Sequence, residues 1–364
     1  MRIAFALPGL HRVRRGAEVA FESLAAELAR IPETEVTLFG SGLARPSDPY
    51  QFIHISCLPR ERFVSFPKLP VLRNEYSWEE LSFLPSFLRH YKPSDFDLTI
   101  ACSYPHLNWA LRWRRSFPWN RPRHIFVTQN GDHAPRSRSK EFRWFGCDGL
   151  VCTNPDYYRD NSARWNSCLI PNGVDPDLFH PGMPERDRFG LPEGVSVVLM
   201  VSALIPSKRV ADGIMAVGDL PDVHLVVCGD GPDKSAVRSL GDRVLPGRFH
   251  HFSLPRKEMP AMYRTADVFL HMSLDEPSAN SYIEALATGL PIVTHDRSVT
   301  RWTLEETCIL VDATDRTAVS RGLQQSLEPD PAGQISRSLL AKRRFTWRSI
   351  AEEYRSFFSR ILAG

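Results

Sequence analysis

The chain has 364 residues, of which 43% are hydrophobic and 24% charged, and its formal net charge is +3. This length suits two domains better than one, and the small net charge argues against a protein dedicated to nucleic acid. No stretch approaches the ~18 apolar residues that a membrane-spanning helix needs. The apolar run at the N-terminus is too short for a signal peptide, which predicts a cytoplasmic protein.

The basic residues are concentrated in the first half of the chain. Residues 1–170 hold 23 Lys and Arg against 17 Asp and Glu, whereas the remainder holds 22 against 25. Within that half, Trp109–Phe126 mixes tryptophan with arginine, a combination that can rest on an anionic bilayer surface. This pattern predicts peripheral contact with the inner face of the membrane. A solvated basic surface and a packed helix with an exposed basic face are the alternatives.

Short apolar runs alternate with helical patterns along the first half. A helix is predicted from about Ala17, because Phe21, Leu24 and Leu28 recur on one face. Near-continuous apolar strands separated by helices predict a parallel sheet that is covered on both faces. The predicted strands are Ile3–Leu7, Val36–Phe39, Phe52–Ile55, Leu98–Cys102, His124–Thr128 and Leu150–Thr153.

The same alternation starts again in the second half. Its predicted strands are Val195–Val201, His224–Cys228, Asp267–His271, Pro291–Thr294 and Cys308–Val311. The boundary falls in Ile170–Gly182, which is rich in Pro, Gly, Asn and Asp. We therefore predict an α/β protein with two doubly wound domains, residues 1–172 and 173–345. Residues 346–364 form an amphipathic helix that packs back on the first domain.

The segment DEPSANSYIEALATGLPIV is the strongest candidate for chemistry. It follows the strand Asp267–His271, and ligands of open α/β sheets bind at the carboxyl ends of strands. A helix is predicted to open at Ser278–Ser281, where backbone N–H groups can bind a diphosphate. The expected donor-binding residues there are Ser278, Ala279 and Asn280. Glu284, about one turn in, can accept hydrogen bonds from the vicinal hydroxyls of a ribose. The alternative is an ordinary strand–helix unit with two surface glutamates, Glu276 and Glu284.

Four motifs in order resemble those of one family. Glu276, seven further residues, Glu284 and then AxAxGxPIV are similar to the donor-site motif of the retaining glycosyltransferases of family 4. The segments IPNGVD (170–175), VSALIPSKRV (201–210) and VCGDGP (227–232) resemble that family's interdomain segment, phosphate loop and second Gly-rich turn. The resemblance implies the GT-B fold, in which two Rossmann-like domains face each other across a cleft.

The resemblance also implies roles for residues of the second domain. Glu276 resembles the glutamate that lies against the donor sugar, and Glu284 the one that holds the ribose hydroxyls. Lys208 matches the lysine that neutralises the diphosphate. This chain has Ser202-Ala203 where many relatives carry Gly-Arg, so a second cation is expected from Arg209 or is missing.

Further donor contacts are expected from glycines and from the first domain. Gly229 belongs to the second Gly-rich turn, and Gly16 to the loop Arg12–Gly16, which stands where relatives have a Gly-rich loop near the donor phosphates. Arg14 or Arg15 can add charge to that loop, although a solvated basic loop is the alternative. After strand His124–Thr128, relatives place a histidine that touches the donor sugar. Asn130 and His133 are equal candidates for that position.

The resemblance therefore implies a retaining glycosyltransferase that moves a sugar from a nucleoside-diphosphate sugar to a hydroxyl acceptor, which is a glycan, a lipid-linked molecule or a small molecule. No cofactor and no metal are expected. Asp95-Phe-Asp97 precedes a strand, and His250-His251 point to opposite faces of one, so neither pair is a good metal site. A nucleotide-sugar epimerase or phosphorylase and a non-catalytic nucleotide-sugar-binding protein on the same fold are the alternatives.

Overall fold

The computed structural model of the chain describes every residue except 14, 70, 113–120, 130–132, 139–141 and 277–279. Of His133 it describes the backbone and not the side chain. The chain divides into two compact units. The first comprises Met1–Asn172 and Trp347–Gly364, and the second comprises Gly173–Thr346. Each unit contains one parallel β-sheet with helices packed on it.

The sheet of the first unit has the strand order β3-β2-β1-β4-β5-β6-β7, and all its neighbouring strands are parallel. The sheet of the second unit has the order β10-β9-β8-β11-β12-β13 and is also parallel throughout. The strands are β1 Arg2–Ala6, β2 Glu35–Gly40, β3 Gln51–His54, β4 Leu98–Ala101, β5 Arg123–Val127, β6 Gly149–Cys152, β7 Ser167–Leu169, β8 Ser196–Val201, β9 Val223–Cys228, β10 Phe249–Phe252, β11 Val268–His271, β12 Ile292–His295 and β13 Ile309–Val311.

Helices follow most of the strands, as a parallel sheet requires for its crossover connections. The helices are α1 Gly16–Ala29, α2 Glu75–His90, α3 His106–Arg112, α4 His133–Arg136, α5 Pro155–Asn161, α6 Val210–Gly218, α7 Lys234–Val244, α8 Met259–Thr265, α9 Asn280–Ala287, α10 Ser298–Leu304, α11 Arg316–Ser326, α12 Pro331–Arg344 and α13 Trp347–Ala363. Several begin at side-chain caps: Asn74 accepts from the Ser77 N–H before α2, and Asp315 from two N–H groups of α11.

The cores consist of the apolar residues that the sequence pattern identifies. All six residues of β9 are buried, as expected for an interior parallel strand. In the first unit, Phe21 and Leu24 of α1 share a core cluster with Tyr354 and Phe357 of α13. The amphipathic C-terminal helix therefore packs on the core of the first unit.

Two strands were not predicted from the sequence. The strands β7 and β10 lie at the edges of their sheets, and neither forms a continuous apolar run. In β10, Nε2 of His250 lies 3.0 Å from Nδ1 of His224 in the neighbouring strand β9. Nε2 of His251 forms a hydrogen bond with the carbonyl oxygen of Gly229. Each of the eleven predicted strands overlaps an observed strand, and no predicted bound differs from the observed one by more than one residue.

Strand order reverses at one place in each sheet. In the second unit the chain runs from β8 outward to β9 and β10 and then returns to place β11 on the other side of β8. The loops after β8 and β11 therefore diverge at the carboxyl edge of this sheet and leave a crevice, which is where open α/β sheets bind ligands.

Candidate active site

The crevice of the second unit brings two predicted site residues together. Lys208 ends a short 3₁₀ turn in the loop after β8, and Glu276 lies in the loop after β11. The Lys208 ammonium forms an ion pair with Oε2 of Glu276. Both side chains are largely enclosed, with 20% and 12% of their surfaces exposed. A cation and a carboxylate thus share the position that the fold reserves for a ligand.

A second group of polar side chains stands behind Glu276. Nε2 of His271, the last residue of β11, lies 3.6 Å from Oε2 of Glu276. Its Nδ1 is 2.9 Å from the hydroxyl of Tyr282 in α9, and that hydroxyl is 2.6 Å from Oγ1 of Thr294 in β12. Burial lowers the pKa of His271 to about 4, so its imidazole is neutral at neutral pH.

Glu284 is buried in α9, with 7% of its surface exposed. Its Oε1 accepts a 2.9 Å hydrogen bond from Nη1 of Arg256, and its Oε2 accepts one of 3.0 Å from the Tyr263 hydroxyl. Burial and the neighbouring carboxylate raise the pKa of Tyr263 well above its usual value, which keeps the phenol a donor. The alternative of surface glutamates is therefore wrong for Glu284. Its carboxylate still has lone pairs for a ligand, because it can accept about four hydrogen bonds.

Arg209 follows Lys208 directly in sequence, and Gly229 packs against Ser202 at the start of the same loop. Arg209 takes a left-handed conformation (φ 51°) where the loop enters α6, and its Nε donates to Asp212 at 2.6 Å. Its charge is thus partly matched within the protein. Gly229 lies so close to the loop after β8 that a Cβ there would overlap the carbonyl oxygen of Ser202. The Gly-rich turn therefore supports the loop after β8 through backbone packing.

The remaining predicted residues are described only in part. Asn280 is the first residue of α9, whereas Ser278 and Ala279 lie outside the described residues. Asn130 also lies outside them, and His133 is described only as the first backbone position of the short helix α4. The predicted roles of these residues remain predictions.

The loop after β1 in the first unit leads to Gly16, the first residue of α1. Its arginines meet buried carboxylates: Arg12 forms an ion pair with Glu79, and Nη1 of Arg15 lies 3.5 Å from Oε1 of Glu18. Burial raises the pKa of Glu18 to about 7. The alternative of a freely solvated loop is therefore wrong for these two arginines. Arg14 lies outside the described residues.

Sequence reasoning missed five side chains of the second-unit crevice. They are Arg256, Tyr263, His271, Tyr282 and Thr294. A polar residue at the end of an apolar strand, such as His271 in VFLH, is the signal that was available. Among the described residues, no group of three His, Cys, Asp or Glu side chains is placed to hold a metal ion. The described helices include none with the length and hydropathy of a membrane span.

Two family models match successive parts of the chain. Residues 14–178 match the model for glycosyltransferase family 4, and residues 184–338 match glycosyl transferases group 1. The chain belongs to glycosyltransferase family 4 and has the GT-B fold. The motifs around Lys208, Glu276 and Glu284 lie within the second match.

Individual curated relatives match only part of the chain, and at low identity. Over 168 residues the chain is 26% identical to the α-monoglucosyldiacylglycerol synthase of Streptococcus pneumoniae, a match that covers 41% of this chain and 37% of that protein. The chain spans about a third to a half of the length of the curated relatives that it matches.

Solved structures match over the whole chain. Sucrose-phosphate synthase from Thermosynechococcus elongatus superimposes with a TM-score of 0.80 at 19% identity, covering 100% of this chain and 99% of that one. Anabaena Alr3699/HepE in complex with UDP and glucose superimposes with a TM-score of 0.73 at 17% identity, and 99% of both chains is covered. At these identities the likeness concerns the fold.

Proposed function

We propose that this protein is a retaining glycosyltransferase that transfers a sugar from a nucleoside-diphosphate sugar to a hydroxyl acceptor. The observation that carries the proposal is the ion pair between Lys208 and Glu276 in the crevice of the second unit. It joins a cation suited to a diphosphate with a carboxylate suited to sugar hydroxyls. Membership of family 4 supports the same reaction class.

The chemistry follows from where charge develops. As the bond between the sugar and the diphosphate breaks, negative charge grows on the leaving phosphate, and a preorganised cation stabilises it. A bound diphosphate carries more negative charge than one carboxylate. We therefore expect Lys208 to turn to the phosphate and to release Glu276 toward the sugar. The departing phosphate oxygen then takes the acceptor proton on the face of attack, so that no side-chain nucleophile is required.

Glu284 supplies the nucleoside contact in this proposal. Arg256 and Tyr263 fix its carboxylate from one side, and its remaining lone pairs accept from the ribose hydroxyls. The UDP bound to the structural neighbour from Anabaena makes uridine the first base to test. We propose that no metal ion is needed, because Lys208 provides the cation. Transfer rates should then be unchanged by EDTA, and a loss that Mg²⁺ restores would contradict this.

The acceptor side is proposed for the first unit. The excess of basic residues in 1–170 supports an anionic partner, and the streptococcal relative's name supports including a diacylglycerol-type lipid among the acceptors. Binding to phosphatidylglycerol vesicles, but not to phosphatidylcholine vesicles, that weakens with salt is expected for peripheral membrane contact. Equal binding to both vesicles, or to neither, would contradict it.

The test has two stages. Thermal-shift measurements with UDP, GDP, ADP and TDP identify the base, and Glu284→Ala should remove the stabilisation, whereas the exposed control Glu328→Gln should keep it. Radiolabelled sugar nucleotides of that base are then offered with glycan, lipid and small-molecule acceptors. Labelled product with retained anomeric configuration supports the proposal. Isomerised donor formed without an acceptor, or binding without turnover, would replace it with an epimerase or a binding protein.

A further inference from the structure

We propose that Thr294, Tyr282 and His271 form a directional hydrogen-bonded chain that positions the Glu276 carboxylate, so that His271 is a positioning residue for sugar transfer. This inference rests on the proposed function, because it needs Glu276 to act on the donor sugar. It concerns three side chains to which the motifs of the sequence gave no role.

The fold places the three residues side by side. His271 in β11 and Thr294 in β12 are paired directly in the register of the sheet, and Tyr282 reaches them from α9. All three are almost fully buried, with 4%, 0% and 3% of their surfaces exposed. Buried polar groups destabilise a fold unless they are hydrogen-bonded. A core position that needs only packing would take an apolar residue, as the three preceding residues of β11 do.

The direction of the chain follows from what each group can donate. An ionised carboxylate only accepts, so the Nε2 of His271 that faces Glu276 carries the proton of the neutral ring. Nδ1 is then an acceptor, and it accepts a hydrogen bond of 2.9 Å from the Tyr282 hydroxyl. The Tyr282 oxygen in turn accepts a hydrogen bond of 2.6 Å from the Thr294 hydroxyl. Every proton of the chain therefore points toward Glu276.

The chain complements Lys208, which contacts the same carboxylate oxygen. A donor diphosphate competes with Glu276 for Lys208, but it does not compete for a buried neutral imidazole. At 3.6 Å the N–H and the carboxylate interact as dipole and charge, and a shift of about half an ångström makes a hydrogen bond. His271 is therefore the group that holds Glu276 once Lys208 has turned to the phosphate.

Four variants test the chain. His271→Leu removes the donor, whereas His271→Gln keeps an N–H close to the position of Nε2. Tyr282→Phe and Thr294→Val each remove one hydroxyl further along. We measure kcat, the donor KM, the affinity for UDP (or for the nucleoside diphosphate that the thermal shift selects) and Tm.

We expect His271→Leu to lower kcat by about 10- to 100-fold, which is the range of one hydrogen bond to a charged group, and His271→Gln to recover most of it. The kcat of Tyr282→Phe should lie between those of the two His271 variants, and Thr294→Val should lower kcat least. Nucleoside diphosphate affinity should stay within about twofold in all four, because Lys208 and Glu284 are untouched. Equal kcat losses in the Leu and Gln variants, an unchanged kcat in His271→Leu, or a parallel loss of nucleotide affinity would overturn the proposal.

A spectroscopic measurement separates this inference from the proposed function. In protein labelled with ¹⁵N-histidine, His271 should show a protonated Nε2 and an unprotonated Nδ1, and Tyr282→Phe should shift the Nδ1 resonance. The opposite tautomer would overturn the chain whether or not the enzyme transfers sugar. If the expected tautomer is found but the wild type transfers no sugar from any donor, the proposed function fails and the positioning role fails with it.

Discussion

The phenolic hydroxyl of Tyr263 donates a 3.0 Å hydrogen bond to Oε2 of Glu284, while the guanidinium of Arg256 holds the other oxygen of the same carboxylate. Tyr263 is fully buried, and its ring packs against Phe179 and Phe269 in the core of the second unit. The orientation of Glu284 is therefore tied to the core. The motif glutamate is set before any ligand arrives, which reduces the entropy that a ligand has to overcome.

Tyr263→Phe should both destabilise the protein and weaken nucleotide binding. The variant loses a hydrogen bond to a charged group, which contributes about 1.5–3 kcal/mol to the free energy of unfolding. The freed carboxylate also becomes less well oriented, so we expect a several-fold loss of nucleoside diphosphate affinity. Urea unfolding and titration calorimetry measure the two effects. The exposed Tyr158→Phe serves as the control, and wild-type affinity in Tyr263→Phe would contradict the role given to this contact.

Lys208→Ala should lower kcat/KM by about 10²-fold or more, by analogy with the removal of one donor to a developing anion. Glu276→Ala should abolish transfer while leaving donor binding partly intact. Because the two groups contact each other, the double variant should lose less donor affinity than the product of the two single losses. Steady-state kinetics measures the single losses of transfer, and titration of the sugar nucleotide over the cycle measures the coupling. The exposed Lys342→Ala should behave as wild type, and strictly multiplicative losses would show that the two residues act independently.

Glu80→Gln should change how stability depends on pH. Glu80 of α2 is buried and accepts a hydrogen bond from the Leu107 N–H at 2.7 Å, and burial raises its pKa to about 7 from an ordinary value of 4.5. Between these values the folded state keeps a proton that the unfolded state releases, so wild-type stability falls as pH rises through this window and is level above it. The variant cannot ionise at this position and is free of that loss.

Its stability relative to wild type should therefore increase by about 2–3 kcal/mol between pH 4.5 and pH 8, since one pKa unit corresponds to about 1.4 kcal/mol. Urea unfolding at several pH values checks this. Glu18 and the buried histidines titrate in both proteins, so their contributions to the pH dependence of stability cancel in the difference. Glu328→Gln, at an exposed position, should show no such trend, and a constant difference for Glu80→Gln would refute the raised pKa.

Gly229→Ala should destabilise the second unit. The new methyl group would overlap the carbonyl oxygen of Ser202, and that backbone cannot yield without moving the loop after β8. Overpacking of this kind costs about 1–3 kcal/mol. We expect a lower midpoint of thermal unfolding together with weaker nucleotide binding, because the loop that carries Lys208 has to shift. An unchanged midpoint would show that the two loops are not packed as described.

The sequence alone determined the positions of the motifs and of eleven of the thirteen described strands. Buried parallel strands are continuous apolar runs, so a run such as His224–Cys228 predicts its strand to within a residue. The edge strand β10 has two histidines between its phenylalanines and gave no such signal. The spacing of Glu276 and Glu284 and the position of Lys208 predicted the candidate site, because local sequence displays the motifs that resemble those of the family.

Only the tertiary structure decided which side chains surround those motif residues. His271 and Thr294 meet through the register of β11 with β12, and Tyr282 reaches them from a helix. Arg256 likewise comes to Glu284 from a 3₁₀ turn, and Tyr263 comes from α8. Such contacts join residues that are distant in sequence, and they depend on the order and register of packed elements. The periodicity of a single segment carries no information about its neighbours in space.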